Sequence, residues 1–308
     1  MIIKPQPEYS LLDSGDEQKL EKYGDFVVAR PDPQAIWSKK LSDKEWSKAD
    51  ATYVPARRDK DGVTEEKGKW SIKQGIKIPK NAADDTEYAW PISLGPVKLY
   101  ARLTPFKHTG IFPEQLENWN WIEAILKKNA PDSQTEEKPK ILNLFGYTGG
   151  ASFVAALNGA EVTHVDASRS AITWAKENML LSGLDEKAIR WMLEDAVVFV
   201  KKELRRGNKY DAIMMDPPIF GRGAKGEVWK IEEDLKPLIE MCFELLSDKP
   251  LFFILNGYSA GYSSVSYGHL LEKLVEKHAG NTEHGELLIE DTQGRALPSG
   301  IVARWKRA

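Results

Sequence analysis

Three acidic residues and one glycine-rich turn in this chain stand where apolar runs end. "DAIMMDPP" (211–218) stops on Asp216-Pro217-Pro218, "EVTHVD" (161–166) on Asp166 and "WMLED" (191–195) on Asp195. "ILNLFGYTGG" (141–150) runs straight into Gly146-Tyr147-Thr148-Gly149-Gly150. A carboxylate at a strand end accepts hydrogen bonds from hydroxyl, amino or ring N–H groups. Two successive prolines fix φ, remove two N–H donors and stiffen the turn that carries such a carboxylate. Asp216 and Pro217 can therefore grip a nitrogen and aim it. The plain alternative is a proline strand terminator.

Spacing narrows the ligand. Glycines after a first strand let the backbone turn tightly against a ligand, and an acid at the end of the second strand accepts both hydroxyls of a ribose. Asp166 lies about 20 residues after Gly146, the interval such folds use. This predicts an adenosine-bearing ligand. A dinucleotide loop needs G-x-G-x-x-G, but the position two after Gly146 is Thr148. The wider G-x-x-G-G with Tyr147 suits a nucleoside carrying an amino acid better than a diphosphate. No G-x-x-x-x-G-K-[ST] occurs, which removes a P-loop. Asp195, with Ala196 beside it, is placed to accept from an adenine amino group; it suits a helix N-cap equally well.

These residues need a scaffold that brings strand ends together. Strands are predicted at 140–145, 160–166, 188–195, 210–216 and 250–257. Helices are predicted at about 149–158, 169–182, 196–206, 232–246 and 266–278, and a further helix opens at Pro113. Apolar strands alternating with amphipathic helices imply a mostly parallel, doubly wound α/β sheet covered on both faces. "GELLIEDTQGRALPSGIVARWKR" reads as two strands around a turn, an antiparallel edge to that sheet. The glycine-rich basic stretch "GRGAKGEVW" reads as an irregular loop. Residues 1–112 differ: short apolar stretches with scattered tryptophans, split by Pro, Gly and Asp, predict a small β-rich domain before a second domain at 113–308. "RRDKDGVTEEKGK" (57–69) reads as an exposed hairpin loop.

Composition sets outer limits. The 308 residues are 42% hydrophobic and 29% charged, with a net charge of −3. That is globular composition, and it neither favours nor excludes a nucleic-acid partner. Cys242 is the only cysteine, so no intrachain disulfide forms. The start has no apolar signal core and nothing downstream is long enough to span a membrane, which predicts a cytoplasmic soluble protein. Five histidines without ligand spacing and without a cysteine cluster predict no metal site.

Together, "NLFGYTGG", "VDASRSAITWAKENMLLSGL", "EDAVVFV" and "YDAIMMDPPIFGRG" resemble the motifs of class I S-adenosylmethionine-dependent methyltransferases, nearest the group that includes the large-subunit ribosomal RNA methyltransferases. "FKHTGIFPEQ" (106–115) resembles the segment that folds over the cofactor there, and residues 9–37 resemble the small N-terminal β domain of a bacterial branch. The resemblance implies S-adenosyl-L-methionine as cofactor. It implies Phe145, Gly146, Tyr147, Thr148 and Gly149 along the methionine part, Asp166, Ala167 and Ser168 at the ribose, and Asp195 and Ala196 at adenine. Asp216 and Pro217 would face the methyl, and Thr109, Phe112 and Gln115 would cover the cofactor. Relatives that methylate cytosine carbon 5 attack with a cysteine after the fifth strand, where this chain has Asn256-Gly257-Tyr258. Cys242, in "LIEMCFELL", reads as a core residue. Direct transfer to a base nitrogen of RNA, with ribosomal RNA as substrate, is the expected reaction. Phe220, Arg222, Lys225, Trp229 and Tyr258 are the expected substrate contacts, with Lys230 beside them. Trp229 either stacks on a base or tucks onto the domain. The alternatives are a small-molecule or protein methyltransferase, a nicotinamide oxidoreductase, and a binding module without catalysis.

Overall fold

The computed structural model describes residues 1–56, 68–81, 87–130, 137–185, 189–223, 226–258 and 261–308. The chain divides into two compact units. The smaller holds residues 2–116 and 288–299; the larger holds Met1, 117–287 and 300–308. The expected division was at 112/113; the tip of the C-terminal strand pair groups with the N-terminal part.

The smaller unit is β-rich. Its strands are β1 (Ile2–Ile3), β2 (Tyr9–Gly15), β3 (Gln18–Tyr23), β4 (Phe26–Pro31), β5 (Ala51–Val54), β6 (Lys69–Ile72), β7 (Ala89–Leu94) and β8 (Val97–Arg102). One short helix, α1 (Asp43–Trp46), starts on a capping box between Ser42 and Glu45. The sheet order is β2-β3-β4-β5-β6, and β7 pairs with β8. The strands flanking 57–69 pair antiparallel, as a hairpin requires; residues 57–67 of that stretch lie outside the described residues.

Charge is buried in this unit. Glu21 is fully buried and accepts from Arg30 Nε at 2.5 Å, Tyr9 at 2.9 Å and Tyr23 at 3.0 Å. Burial pushes its carboxyl up, but Arg30 and then Lys19 overcome this and hold it at about 2. Arg30 also reaches the carbonyl of Lys107 at 3.3 Å, tying the 104–109 segment to the sheet. A second buried acid, Asp13, accepts from the backbone of Lys40 and Leu41, from Trp46 and from Arg295. Arg295 bonds Asp291 as well, which fastens the strand-pair tip here.

The larger unit begins in α2 (Leu116–Lys128) and continues with β9 (Lys140–Leu144), α3 (Gly150–Leu157), β10 (Glu161–Asp166), α4 (Arg169–Leu181), β11 (Ile189–Leu193) and α5 (Ala196–Arg206). There follow β12 (Ala212–Met215), β13 (Phe220–Arg222), β14 (Val228–Lys230), α6 (Ile231–Leu245), β15 (Phe252–Gly257), α7 (Ser264–Leu270), α8 (Glu272–His278), β16 (Asn281–Glu290) and β17 (Ala296–Lys306). The order across the eight-stranded sheet is β1-β16-β17-β15-β12-β9-β10-β11, with β1 pairing at Leu288 and Ile289 of β16. Strands β15, β12, β9, β10 and β11 are mutually parallel. The fold is therefore the expected mostly parallel α/β sheet with a separate small β-rich part. Leu142, Leu144, Val165, Ile213, Met215, Phe253 and Leu255 form one face with the apolar sides of α5, α6, α7 and α8. The opposite face meets α2 through Trp121 on Phe252 and α3 through Ser152 on Asn143. No described helix is long and apolar enough to cross a membrane.

The C-terminal strand pair adds to one end of the sheet as expected: β17 runs antiparallel to β15, with residues 252–257 against 306–301, and β16 lies beyond it. Two expectations are corrected. The helix expected at 266–278 starts earlier, on Ser263, and breaks at Leu271, whose N–H bonds the carbonyl of Gly268 three residues back. Two parts of the stretch 220–230 are not irregular: β13 (220–222) and β14 (228–230) pair antiparallel, and residues 224 and 225 between them lie outside the described residues. Glycines at 221, 223 and 226 had argued against strand, but pairing and one buried tryptophan override that propensity.

Replacing Arg30 by Met strands the Glu21 carboxylate among two tyrosines. Urea unfolding of Arg30→Met should show a loss of about 3–5 kcal/mol.

Candidate active site

The sheet order puts four strand ends side by side. β9, β10, β11 and β12 point the same way, so residues 145–149, 166–168, 194–196 and 216–218 follow their carboxyl ends along one edge. The chain runs outward from β9 to β10 and β11, then returns to β12 on the other side. That reversal between β9 and β12 opens the crevice where open α/β sheets hold ligands.

The glycine loop is strained and heavily restrained. Phe145 (φ 56°) and Tyr147 (φ 45°) both lie in the left-handed region, at a cost of roughly 1–2 kcal/mol each. Hydrogen bonds hold them there. Gly146 N–H donates to Val165 O at 3.0 Å, and Gly149 N–H to Gly146 O at 3.0 Å. Tyr147 N–H donates to Asp166 Oδ2 at 2.9 Å. Asn178, buried in α4, donates to Thr148 O at 3.0 Å.

Each glycine serves a different contact. At Gly146 a Cβ would sit 2.4 Å from Cε1 of the His164 ring. At Gly149, where φ is +94°, it would meet Phe153 at 2.3 Å, and at Gly150 it would meet Trp119 at 2.3 Å. The His164 ring is fully buried and shares a hydrogen bond with Ser152 Oγ at 3.0 Å, which in turn accepts from Asn143 at 2.9 Å. Burial pushes this imidazole down to about 3, so it is neutral at working pH.

Asp166 joins loop to helix. Its Oδ1 accepts from Ser168 N–H at 2.8 Å while Oδ2 takes Tyr147. Burial raises its carboxyl, and the two backbone donors oppose the rise. Each oxygen keeps a second lone pair for a ligand hydroxyl. Ala167 is half-buried, and Ser168 caps α4 through Ala171 N–H. Asp195 caps α5, accepting from Val198 N–H at 2.9 Å, with Ala196 buried behind it.

At the proline turn, Pro217 is buried and Asp216 half-buried. The Pro218 carbonyl accepts from Trp229 Nε1 at 2.6 Å, and the Trp229 ring packs on Phe145 at 5.1 Å. Trp229 is only 4% exposed, so it tucks onto the domain and offers no face to a base. One indole thus ties glycine loop, proline turn and hairpin together. Tyr267 lies under the end of β15, where a Cβ on Gly257 would be 2.5 Å from its hydroxyl. Burial pushes that phenol up to about 12, and the Asp216 carboxylate adds to the shift. Tyr258, half-buried, follows β15 beside Gly300.

Phe220 and Arg222 are exposed on the hairpin; Lys225 lies outside the described residues. Thr109, Phe112 and Gln115 belong to the smaller unit, with Thr109 and Gln115 buried there. Cys242 is buried in α6, and burial pushes its thiol well above the ordinary range. Among the described residues, no cluster of His, Cys, Asp or Glu is placed to hold a metal ion. His164, Ser152, Asn143, Trp119 and Tyr267 were not anticipated as part of this site; Asn178 matches a position of the resembled family but from the sequence reads as a residue that packs or caps. The one trace His164 leaves in the sequence is a polar ring inside the apolar run "VTHVD".

A family model described as S-adenosylmethionine-dependent methyltransferase matches residues 108–257. A solved SAM-dependent methyltransferase from Agrobacterium tumefaciens is 39% identical, covers 100% of this chain and 94% of its own, and superposes with a TM-score of 0.87. This chain belongs to the S-adenosylmethionine-dependent methyltransferases. Its cofactor is S-adenosylmethionine, which sets aside the nicotinamide alternative. The antiparallel β17 beside β15 agrees, since dinucleotide folds continue with a parallel sixth strand there. A ribosomal RNA large subunit methyltransferase K/L from Shewanella baltica is 28% identical over 249 residues, 78% of this chain and 31% of that protein. A ribosomal RNA large subunit methyltransferase K from Neisseria meningitidis is 29% identical over 78% of this chain and 63% of its own. The chain thus spans about a third of the first relative's length and under two thirds of the second's.

Two outcomes follow. Gly146→Ala drives a methyl into a ring that cannot retreat, so S-adenosylmethionine affinity in calorimetry should fall at least about tenfold, with a stability loss of about 1–3 kcal/mol. His164 titrates near 6.5 when unfolded and near 3 when folded. Below pH 6.5 the unfolded chain takes up a proton the folded chain refuses. Its contribution to stability is therefore lost as pH falls from 6.5 toward 3, at up to about 1.4 kcal/mol per pH unit. The imidazole NMR signals should still be those of a neutral ring at about pH 5.

Proposed function

We propose that the protein transfers a methyl group from S-adenosylmethionine to a nitrogen of an RNA base, ribosomal RNA being the substrate, with no covalent enzyme intermediate. The observation that carries this is the proline turn: a half-buried carboxylate on a stiff segment, pinned by Trp229 beside the glycine loop. The substrate class rests on the relatives, which are named for ribosomal RNA. A ribosomal RNA substrate also implies a cytoplasmic location.

When bound, the cofactor supplies an electrophilic methyl on a sulfonium. The residues present suit it. Asp166 would hold the ribose hydroxyls on its remaining lone pairs, Asp195 and Ala196 would border adenine, and the stretch Phe145–Gly149 would line the methionine part. The Asp216 carboxylate accepts the hydrogen bond from the target N–H and so turns the nitrogen lone pair toward the methyl. Pro217 keeps that carboxylate from swinging. Bound S-adenosylmethionine would supply the methyl and take up the bonding pair on its sulfur, and the Asp216 carboxylate would be placed to receive the proton that the methylated nitrogen sheds. Such a displacement needs chiefly alignment. A cysteine nucleophile has no place in it: the only thiol is buried in α6 and Asn256-Gly257-Tyr258 follows the fifth parallel strand.

In a tritium-methyl transfer assay, wild-type protein should label ribosomal RNA and leave protein and metabolite pools unlabelled. Asp216→Ala should lower kcat roughly a hundredfold through lost alignment, while cofactor affinity stays within about threefold. Label in protein or metabolites instead of RNA would sink the substrate assignment.

A further inference from the structure

The hairpin of β13 and β14 has two unlike faces. The register sets Phe220 opposite Lys230, Gly221 opposite Trp229 and Arg222 opposite Val228. Side chains directly opposite share a face, and alternate positions along a strand return to it. Trp229 and Gly221 therefore turn inward, where the indole is buried. Phe220, Arg222, Val228 and Lys230 turn outward, and all four are exposed. Phe220 is 54% exposed and Val228 51%, and the pairing register puts the two diagonally beside each other on one face.

The hairpin is also held firmly. Ile231 N–H donates to Ile219 O at 3.1 Å at its base, and Gly223 N–H to Glu227 O at 2.8 Å toward its tip. Lys230 N–H donates to Asp234 Oδ2 at 2.8 Å at the start of α6. The Trp229 bond to Pro218 fixes the hairpin's distance from the proline turn. An exposed aromatic on so restrained a support is preorganised for a ligand.

Size and charge point to the ligand. Two paired strands place the four outward side chains on a patch roughly 5 Å by 7 Å. That is the footprint of one flat ring system and far less than a helical groove. Lys230 is engaged by Glu233 at 2.8 Å. Arg222 takes part in none of the described ion pairs, which leaves its guanidinium available to a phosphate. Sequence-selective RNA recognition commonly stacks unpaired bases on aromatic side chains with cations on the flanking backbone.

We propose that this outward face receives one unpaired nucleotide of the RNA substrate, adjoining the one that is methylated. Its base stacks on Phe220 and Val228, and Arg222 meets its phosphate. The inference rests on the RNA reading above and adds that the target lies in a single-stranded segment.

The test uses the full chain with a short fluorescein-labelled single-stranded oligoribonucleotide, the blunt duplex of the same sequence, and ribosomal RNA for methyl transfer. Wild-type protein should bind the single strand more tightly than the duplex. Phe220→Ala should weaken single-strand binding between about fivefold and a hundredfold, the range for one stacked base. Phe220→Trp should restore it. Arg222→Ala should weaken binding and reduce the slope of log affinity against log salt by about 0.7. On ribosomal RNA, Phe220→Ala should raise KM with kcat little changed and S-adenosylmethionine affinity intact. Equal affinity for duplex and single strand overturns the inference. So does a wild-type KM in Phe220→Ala, or a loss of cofactor affinity there, and in both cases transfer to RNA by the wild type leaves the RNA reading standing. A wild-type protein that methylates no RNA defeats that reading first and this inference with it.

Discussion

The candidate site depends on the Asp166 carboxylate bonding across to the backbone of Tyr147. A loop with two non-glycine residues in the left-handed region does not hold that shape by local preference. It holds because a strand-end acid one strand over accepts its N–H, because Asn178 ties down its carbonyl, and because His164 fills the space that a side chain at Gly146 would need. The same carboxylate captures Ser168 N–H and so starts α4 at the right place. The parallel register of β9 and β10 is what puts the two partners in reach. The acid that the ribose assignment calls on is therefore also part of the loop's scaffold, and losing it would be felt in both.

Trp229 makes the second long-range tie. Its indole spans the Pro218 carbonyl and the Phe145 ring, so the proline turn, the glycine loop and the hairpin form one block. For a reaction that needs alignment, that rigidity matters more than any single functional group. Within the smaller unit, the buried acids Glu21 and Asp13 hold its 104–109 segment and its 288–299 tip in place.

Much of this was legible in the sequence because it is written in period and punctuation. The five parallel strands and the helices from α3 to α6 fall within a few residues of where the apolar periodicity puts them. The G-x-x-G-G turn and the acids at 166 and 195 announce the ligand edge through spacing. What was not legible depends on partners distant in sequence. Nothing near His164 says that its ring occupies the Cβ position of Gly146. Asn178 matches a family position, but the sequence leaves open whether it packs or caps until the Thr148 carbonyl is seen beside it. Glycine-rich composition hid the β13–β14 hairpin, and whether Trp229 faces inward or outward turns on a register that only pairing sets. The insertion of β17 next to β15 is a choice between topologies that share one hydrophobic pattern.

Family membership settles the cofactor, and the site geometry favours transfer by positioning over transfer through a covalent intermediate. The identity of the methylated partner is the claim on which the account stands. The most direct measurement is mass-spectrometric mapping of base modifications in total RNA from cells with and without the gene. The account predicts that one nitrogen-methylated base, in an unpaired segment of ribosomal RNA, loses its methyl group when the gene is absent. An RNA modification profile identical in the two strains would contradict it.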